Sequence, residues 1–310
     1  MRGARGNRRC PGLVEALASS ARRRPTMAAY SPAMEAPLDP PPARPDDAGF
    51  LAGYEHATFE AGGIAHPILR GPANGPIVIV IHELPGVTQR TIAVADRIGR
   101  AGFRVVLPEL LERGRLLGNL RTVCVAAEFR AFARRASRPV VDWLRALAAS
   151  EYARAGSIGP GVGVVGMCFS GGFAFAMVAD PIVEAAVASQ PALPFPFPGV
   201  RDDVGASNAE LQAIAGRGAA GFAARTLRYQ RDPLSPSVRH RRIRTLLPAT
   251  ATVEIRTWNP LDHPVLANAI SAQPGTSLAD ALDGTIAYLT SRLRPGPAPS
   301  APTERSSTCR

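Results

Sequence analysis

The sequence predicts one α/β domain, with a mostly parallel sheet covered by helices on both faces. Strand-like and helix-like segments alternate from residue 49 to residue 294. Several strand-like segments, such as IVIVI at 77–81, are apolar throughout, which is typical of strands buried on both faces. A chain of 310 residues is also long enough to enclose the large core that such a sheet needs.

Eight segments have the composition of strands. The first two, HATFEA and AHPILR, predict a short antiparallel pair. The others are separated by helical segments, which is the pattern of a parallel sheet. In chain order these later strands are IVIVI, FRVVLP, GVGVVG, VEAAVAS, RTLRY and TVEIRTW.

Helical segments fill the intervals between the later strands. SNAELQAIA begins at Ser207 and has Glu210 three residues later, which is the spacing of a capping box. The segment before it, PALPFPFPGV at 191–200, contains prolines that a central strand excludes, so we expect it to run over the top of the sheet. The other predicted helices are Thr91–Arg100, VVDWLRALA, GGFAFAMVA, Ser235–Leu247 and Ser277–Leu293.

The excess of positive charge lies mainly near the N-terminus. The chain has 36 basic and 25 acidic side chains, but residues 1–24 alone carry seven arginines and one glutamate. No nucleic-acid-binding module accompanies this charge, so we expect binding neither to nucleic acid nor to a membrane. Residues 1–48 and 295–310, rich in proline and arginine, are predicted to form a disordered arm and tail around a domain at 49–294.

The four cysteines lie far apart and provide neither a disulfide framework nor a zinc-binding pair. We therefore expect a reducing compartment and no metal. No apolar segment is long enough to span a membrane, and Glu15 interrupts the apolar run that a signal peptide would need. These features predict a cytoplasmic protein.

The segment GVGVVGMCFSGG, at 161–172, allows three interpretations. Its first three glycines match the spacing of a dinucleotide-binding loop, but valines lie between them, so these glycines belong to a strand and do not open a helix. We therefore expect no nucleotide cofactor. Cys168 is then either a buried core residue or a nucleophile on the turn after the strand, and the segment alone leaves both open.

A nucleophile on such a strand-to-helix turn requires small residues two positions before it and two positions after it. Gly166 and Ser170 occupy these positions around Cys168. Two more glycines follow and let the helix pack closely. The thiol would lie at the helix N-terminus, where the helix dipole favours a thiolate.

A nucleophile of this kind needs a carboxylate and then a histidine, each on a loop that follows a later strand. Asp232 follows RTLRY and His263 follows TVEIRTW, so order and placement both agree. Asp262, next to the histidine, is the weaker candidate for the acid because adjacent side chains point apart on most backbones. His240, in the basic run VRHRR, is interpreted as part of a solvated helix face.

The segment HELPG directly follows the strand IVIVI. In hydrolases of this architecture, the loop after that strand supplies a backbone N–H to an oxyanion hole, so Leu84 and Phe169 are the expected donors. From the residues alone, Glu83 can equally be an ordinary solvated carboxylate of the loop.

The sequence resembles the dienelactone hydrolase family, a branch of the α/β-hydrolases with a Cys-His-Asp triad. The resemblance covers most of residues 55–293 and depends on HELPG, GMCFSGG, RDP and DHPVL. It implies an α/β-hydrolase fold and a catalytic set of Cys168, Asp232, His263 and Glu83. It also implies that Glu83 holds the resting thiol, shifts when substrate binds, and assists formation of a Cys168 thiolate paired with His263.

The sequence departs from the family at the residues that recognise substrate. In the family's namesake enzyme, arginines hold the substrate's carboxylate, one of them shortly after the catalytic histidine, whereas PVLANAI follows His263 here. Arg113, in ELLERGR, is the candidate for a partial replacement as a substrate-binding residue. Ser170 replaces the glycine that is usual two places after the nucleophile.

These observations predict hydrolysis of a small-molecule carboxylic ester or lactone through Cys168. The expected enzyme is a monomer or a weak homo-oligomer that needs no cofactor. Two alternatives stay open. One is a non-catalytic α/β-hydrolase-fold module that binds a ligand or a protein, and the other is a redox-sensing thiol without hydrolysis.

Overall fold

The computed structural model describes residues 49–294 of the protein. The predicted arm at 1–48 and the predicted tail at 295–310 lie outside the described residues. Within the described range the chain forms eight strands and eight helices. No helix in this range is both long enough and apolar enough to cross a lipid bilayer.

All eight strands belong to one sheet, and their positions agree closely with the predicted segments. In chain order they are β1 (Glu55–Ala61), β2 (Ile64–Arg70), β3 (Ile77–Ile81), β4 (Arg104–Pro108), β5 (Val162–Met167), β6 (Val183–Ser189), β7 (Arg225–Tyr229) and β8 (Ala251–Ile255). Their spatial order is β1-β2-β4-β3-β5-β6-β7-β8. The strands from β3 to β8 are mutually parallel, and β1 and β2 are antiparallel at one end of the sheet, which confirms the predicted mostly parallel sheet.

Eight helices connect these strands, and six of them match predicted segments. They are α1 (Gln89–Arg100), α2 (Leu116–Val125), α3 (Pro139–Arg154), α4 (Gly171–Met177), α5 (Asn208–Ala219), α6 (Ser237–Leu246), α7 (Val265–Ala269) and α8 (Ser277–Leu293). The predicted capping box of α5 is confirmed, because the Glu210 N–H donates to Ser207 Oγ at 3.3 Å and the Ser207 N–H donates to Glu210 Oε2 at 2.6 Å. The sequence did not predict α2 or the five-residue α7.

The core consists of two apolar layers, one on each face of the sheet. Alternate residues of β3 point to opposite faces, so Ile79 packs in the layer with α3 and α4, and Val80 packs in the layer with α1 and α8. Both side chains are fully buried. Double-sided burial explains why the strand reads as an uninterrupted apolar run.

The proline-rich segment after β6 crosses the top of the sheet, as expected, and buried arginines hold it there. Arg239 on α6 is fully buried and donates from Nη1 to the Pro191 carbonyl at 2.6 Å and from Nη2 to the Pro194 carbonyl at 2.5 Å. Arg138, directly before α3, donates to the carbonyl of Gly205, five residues after the end of this segment. Backbone carbonyls that no strand pairs are thereby satisfied.

The interpretation of His240 as a solvated residue is wrong. Its side chain is 1% exposed, and its Nε2 lies 2.9 Å from Ser235 Oγ. Burial, together with the nearby arginines, lowers the pKa of His240 to about 3, so the imidazole is neutral. The basic residues around it in the sequence concealed an inward-facing position of α6.

Candidate active site

Cys168 lies on a tight turn at the carboxyl end of β5. Its φ of +59° is in the left-handed region, which side chains other than glycine rarely adopt and which costs about 1 kcal/mol or more. A short 3₁₀ turn, Cys168–Ser170, follows and leads directly into α4. The thiol is 7% exposed and therefore close to the surface without being open to solvent. This is the strand-to-helix turn that the sequence predicts.

The turn leaves no space for a side chain at Gly166. A Cβ atom there would lie 2.4 Å from the Ser170 carbonyl oxygen and 2.8 Å from Ala174 Cβ. We expect Gly166→Ala to lower the free energy of unfolding by at least about 2 kcal/mol, because the backbone atoms in contact cannot move away cheaply. Urea denaturation measures this.

Gly216 provides the matched control for that measurement. It lies in α5, and a Cβ atom there would meet nothing within 4 Å. Gly216→Ala should leave stability unchanged or raise it by up to about 1 kcal/mol, because alanine favours helix. Equal effects of the two substitutions would contradict the packing argument.

Ser170 connects this turn to the end of β3. Its Oγ accepts a hydrogen bond from the Met167 N–H at 2.9 Å, and three carbonyl oxygens lie within reach of its single proton: Met167 at 2.9 Å, His82 at 3.0 Å and Ile81 at 3.1 Å. The side chain is fully buried. The serine therefore fixes the turn that carries Cys168 relative to the HELPG loop.

His263 and Asp232 form a direct hydrogen bond. His263 Nδ1 lies 2.7 Å from Asp232 Oδ2, and the carboxylate is fully buried. The other oxygen, Oδ1, accepts the N–H groups of Leu234 and Ser235 at 2.9 Å and 3.2 Å. Asp262 instead accepts hydrogen bonds from Thr257 and Asn259. The residue that orients the imidazole is therefore Asp232.

The second nitrogen of His263 is available for an interaction with Cys168. Nε2 is buried and has no hydrogen bond of normal geometry among residues 49–294. Burial lowers the pKa of His263, but its hydrogen bond with Asp232 and its interaction with the Cys168 thiol raise it to about 10. Histidine with such a pKa is mostly protonated at neutral pH, which favours an ion pair with a thiolate.

Glu83 lies within the same cluster and is 7% exposed, not solvated. Its Oε2 accepts a hydrogen bond from Gln190 Nε2 at 3.1 Å, and in the described part of the chain no hydrogen bond joins it to Cys168. Burial raises the pKa of Glu83 to about 7, although His263, Gln190 and Arg90 each oppose the rise. The carboxyl group can therefore exchange a proton near neutral pH.

Gln190 is a member of the site that the sequence did not indicate. It follows β6, is fully buried, has a φ of +33°, and also interacts with Ser189 Oγ through its side-chain carbonyl.

Gln190→Leu removes a donor that favours the ionised carboxylate, so we expect the pKa of Glu83 to rise above 7. Carbon NMR of a glutamate-labelled sample, with the signal assigned by its loss in Glu83→Gln, measures this. An unchanged or lower pKa would show that the amide does not stabilise the carboxylate.

The two predicted oxyanion donors lie on adjacent loops. In the described residues the Leu84 N–H makes no hydrogen bond, and the Phe169 N–H is in the first turn of its helix, where backbone donors lack intrahelical partners.

His82 holds the HELPG loop, which carries Leu84. Its Nδ1 lies 2.9 Å from the Glu83 carbonyl, and its Nε2 accepts the Leu110 N–H at 3.0 Å. Burial lowers the pKa of His82 to about 4, so it remains neutral in this role.

Arg113, the candidate for binding a substrate carboxylate, makes a two-point ion pair with Glu109. Its Nε lies 2.5 Å from Glu109 Oε1, and its Nη2 lies 2.8 Å from Oε2. Its charge is already balanced inside the protein, so this geometry does not favour the predicted role in substrate binding.

Comparison with known proteins finds a family match for part of the chain. Residues 66–210 match the model of the dienelactone hydrolase family. The resemblance to the dienelactone hydrolase family is confirmed. The matched segment contains Glu83 and Cys168, whereas Asp232 and His263 follow it, so their assignment depends on the fold and on their hydrogen bond. No curated protein sequence matches the chain significantly.

Solved structures of dienelactone hydrolases and esterases have the same fold. A protein of Klebsiella pneumoniae subsp. pneumoniae assigned as a dienelactone hydrolase is 19% identical, with a TM-score of 0.54 over 76% of this chain and 98% of that one. The dienelactone hydrolase of Anabaena variabilis is 17% identical, with a TM-score of 0.50 over 78% and 98%. A fungal esterase of Rhizomucor miehei is 13% identical, with a TM-score of 0.53 over 77% and 83%. The fold is that of the α/β-hydrolases, and the family match supports a carboxylic ester hydrolase.

Proposed function

We propose that the protein hydrolyses carboxylic esters or lactones with Cys168 as its nucleophile. The observation that carries the proposal is the hydrogen bond of 2.7 Å between Asp232 and His263 Nδ1, which leaves the buried Nε2 for the interaction of the imidazole with the Cys168 thiol. An imidazole held by a carboxylate on one nitrogen and next to a nucleophile on the other is the arrangement that acyl transfer needs.

In acylation, the Cys168 thiolate attacks the carbonyl carbon of the ester. The carbonyl oxygen becomes negatively charged, and the N–H groups of Leu84 and Phe169 stabilise it. As the tetrahedral intermediate collapses, the C–O bond to the leaving group breaks and protonated His263 donates a proton to the departing alkoxide. The product of this step is a thioester on Cys168 and a free alcohol.

Deacylation uses the same groups in the reverse order. Neutral His263 takes a proton from a water molecule, whose oxygen attacks the thioester carbonyl. The acid product and the Cys168 thiolate then separate, and the imidazole is again protonated. Asp232 keeps the imidazole in one orientation during both steps. In a lactone, the released hydroxyl remains attached to the acid.

Glu83 is proposed to exchange a proton with the Cys168 thiol in the resting enzyme. With a pKa of about 7, its carboxyl group can accept the thiol proton or return it near neutral pH. Gln190 holds the carboxyl group at the end of β6. Because Cys168 must stay a free thiol, we also propose a reducing compartment, the cytoplasm.

A small panel of substrates tests the proposed function. Phenyl acetate and dihydrocoumarin, which lack a carboxylate, and monomethyl succinate, which carries one, are followed by acid release in a pH-stat. We expect turnover of at least one neutral substrate above the uncatalysed rate, by the wild type and equally by Cys124→Ala, because Cys124 lies on α2 outside the site. A folded protein that binds a lactone but turns over none of the panel would favour the non-catalytic binding module.

A further inference from the structure

Exposed apolar side chains are concentrated on the edge of the molecule that carries the active site. Among residues 49–294, ten large apolar side chains are exposed, and nine of them lie in connections that follow the carboxyl ends of parallel strands. Only Ile158, which precedes β5, lies at the opposite edge. We call the nine the apolar edge: Leu116, Leu117, Leu120, Val125, Phe132, Phe197, Leu234, Trp258 and Leu261.

Helix α2 provides much of this edge and is fixed beside the site. Leu117 is 82% exposed, whereas Asn119 is buried and donates from Nδ2 to the Pro85 carbonyl of the HELPG loop at 2.8 Å. The helix therefore turns its polar anchor inward and presents leucines to solvent. On the other side of the site, Trp258 and Leu261, 87% and 84% exposed, lie on the loop that leads to His263.

The same connections carry a large excess of exposed positive charge. In the connections 109–138, 190–207, 230–236 and 256–264, eight arginines are exposed, against two exposed acidic residues, Glu112 and Asp202. The arginines are Arg115, Arg121, Arg130, Arg134, Arg135, Arg201, Arg231 and Arg256. A count along the sequence hides this asymmetry, since it becomes visible only when the fold brings these connections to one edge.

We propose that the apolar edge docks on the surface of an anionic phospholipid bilayer. Leucine and aromatic side chains enter the boundary between headgroups and acyl chains, while arginines alongside them bind the lipid phosphates. Six of the nine apolar side chains are aliphatic and offer no ring for base stacking, which disfavours single-stranded nucleic acid. A second copy of the chain would bring the same arginines against each other.

Docking in this orientation has a consequence for substrate choice that rests on the proposed function. The mouth of the site would face the bilayer, so the favoured substrates are apolar esters dissolved in or attached to lipid. Vesicle binding itself does not require catalysis. Cys168→Ala should therefore bind vesicles as the wild type does. If the docking proposal fails, the wild type does not bind vesicles; if the proposed function fails, the wild type binds vesicles but hydrolyses no ester.

Trp258 provides a direct reporter of docking. The chain has two tryptophans, and the other, Trp143, is 1% exposed. The full chain is mixed with vesicles of phosphatidylcholine alone or with vesicles that also contain phosphatidylglycerol, an anionic lipid. With the anionic vesicles only, we expect the tryptophan fluorescence to shift to shorter wavelength and to be quenched when brominated phosphatidylcholine is included in the vesicles. Both effects should be absent in Trp258→Phe. Sedimentation with vesicles without quenching would mean that another part of the chain, such as residues 1–48, makes the contact, and would overturn the proposal.

Substitutions at the apolar edge provide the second test. The double variant Leu117→Ser/Leu120→Ser should partition onto anionic vesicles at least about tenfold more weakly, because it removes two leucines that docking would bury in the bilayer. Ile158→Ser, at the opposite edge, is the matched control and should bind as the wild type does. Unchanged binding of the double variant, or concentration-dependent dimerisation that the double variant abolishes, would contradict docking on lipid.

Discussion

Replacing Cys168 with alanine is expected to reduce kcat/KM for phenyl acetate by at least about 10³-fold, because the proposed attacking atom is lost while the proposed oxyanion donors remain. Alanine retains the Cβ atom and the same backbone demand at a φ of +59°, so the turn should keep its shape. Steady-state kinetics, together with circular dichroism of the variant, measures both effects.

Cys168→Ser sharpens the interpretation of that experiment. A serine hydroxyl is far less acidic than a thiol and forms the attacking anion much less readily, so a strong loss of rate is expected here as well. If Cys168→Ala keeps more than about a tenth of the wild-type rate, the cysteine is not the nucleophile and the assignment of the site is wrong.

Asp232→Asn is expected to lower kcat by about 10²- to 10⁴-fold with little change in structure, because the amide has the shape of the carboxylate without its charge. Without the hydrogen bond to a charged acceptor, burial should also bring the pKa of His263 down from about 10. At pH 8 the imidazole would then be less protonated than in the wild type. Titration of the histidine ring signals by NMR measures the shift.

Asp262→Asn is the matched control. Asp262 is adjacent to the histidine in sequence, but its carboxylate binds Thr257 and Asn259. We expect its substitution to change kcat by less than about threefold, since it removes no contact with the imidazole. A larger loss in Asp262→Asn than in Asp232→Asn would reverse the assignment of the acid.

The sequence predicted the parts of the fold that follow from local patterns. Strands such as β3 are buried on both faces and therefore read as continuous apolar runs, and the capping box of α5 is a local arrangement of two residues. Helix α2 escaped prediction because three of its leucines face solvent, so its apolar residues do not mark a buried face.

The placement of Asp232 and His263 was also predictable from sequence, since each follows a strand. Gln190 was not, because its role depends on the pairing of β3 and β6 with β5, which brings a residue after β6 close to the HELPG loop. His240 was misread for a related reason. Its exposure depends on what α6 packs against, and a run of basic neighbours gives no information on that.

The most direct test of the account is to find which atom carries the acyl group during turnover. The wild type is mixed with excess phenyl acetate, quenched with acid within milliseconds, digested, and analysed by mass spectrometry. The account predicts an acetyl group on Cys168, as a thioester that hydroxylamine removes. An acetyl group on another residue such as Ser170, or rapid turnover with no acetylated protein and no burst of phenol, would contradict it.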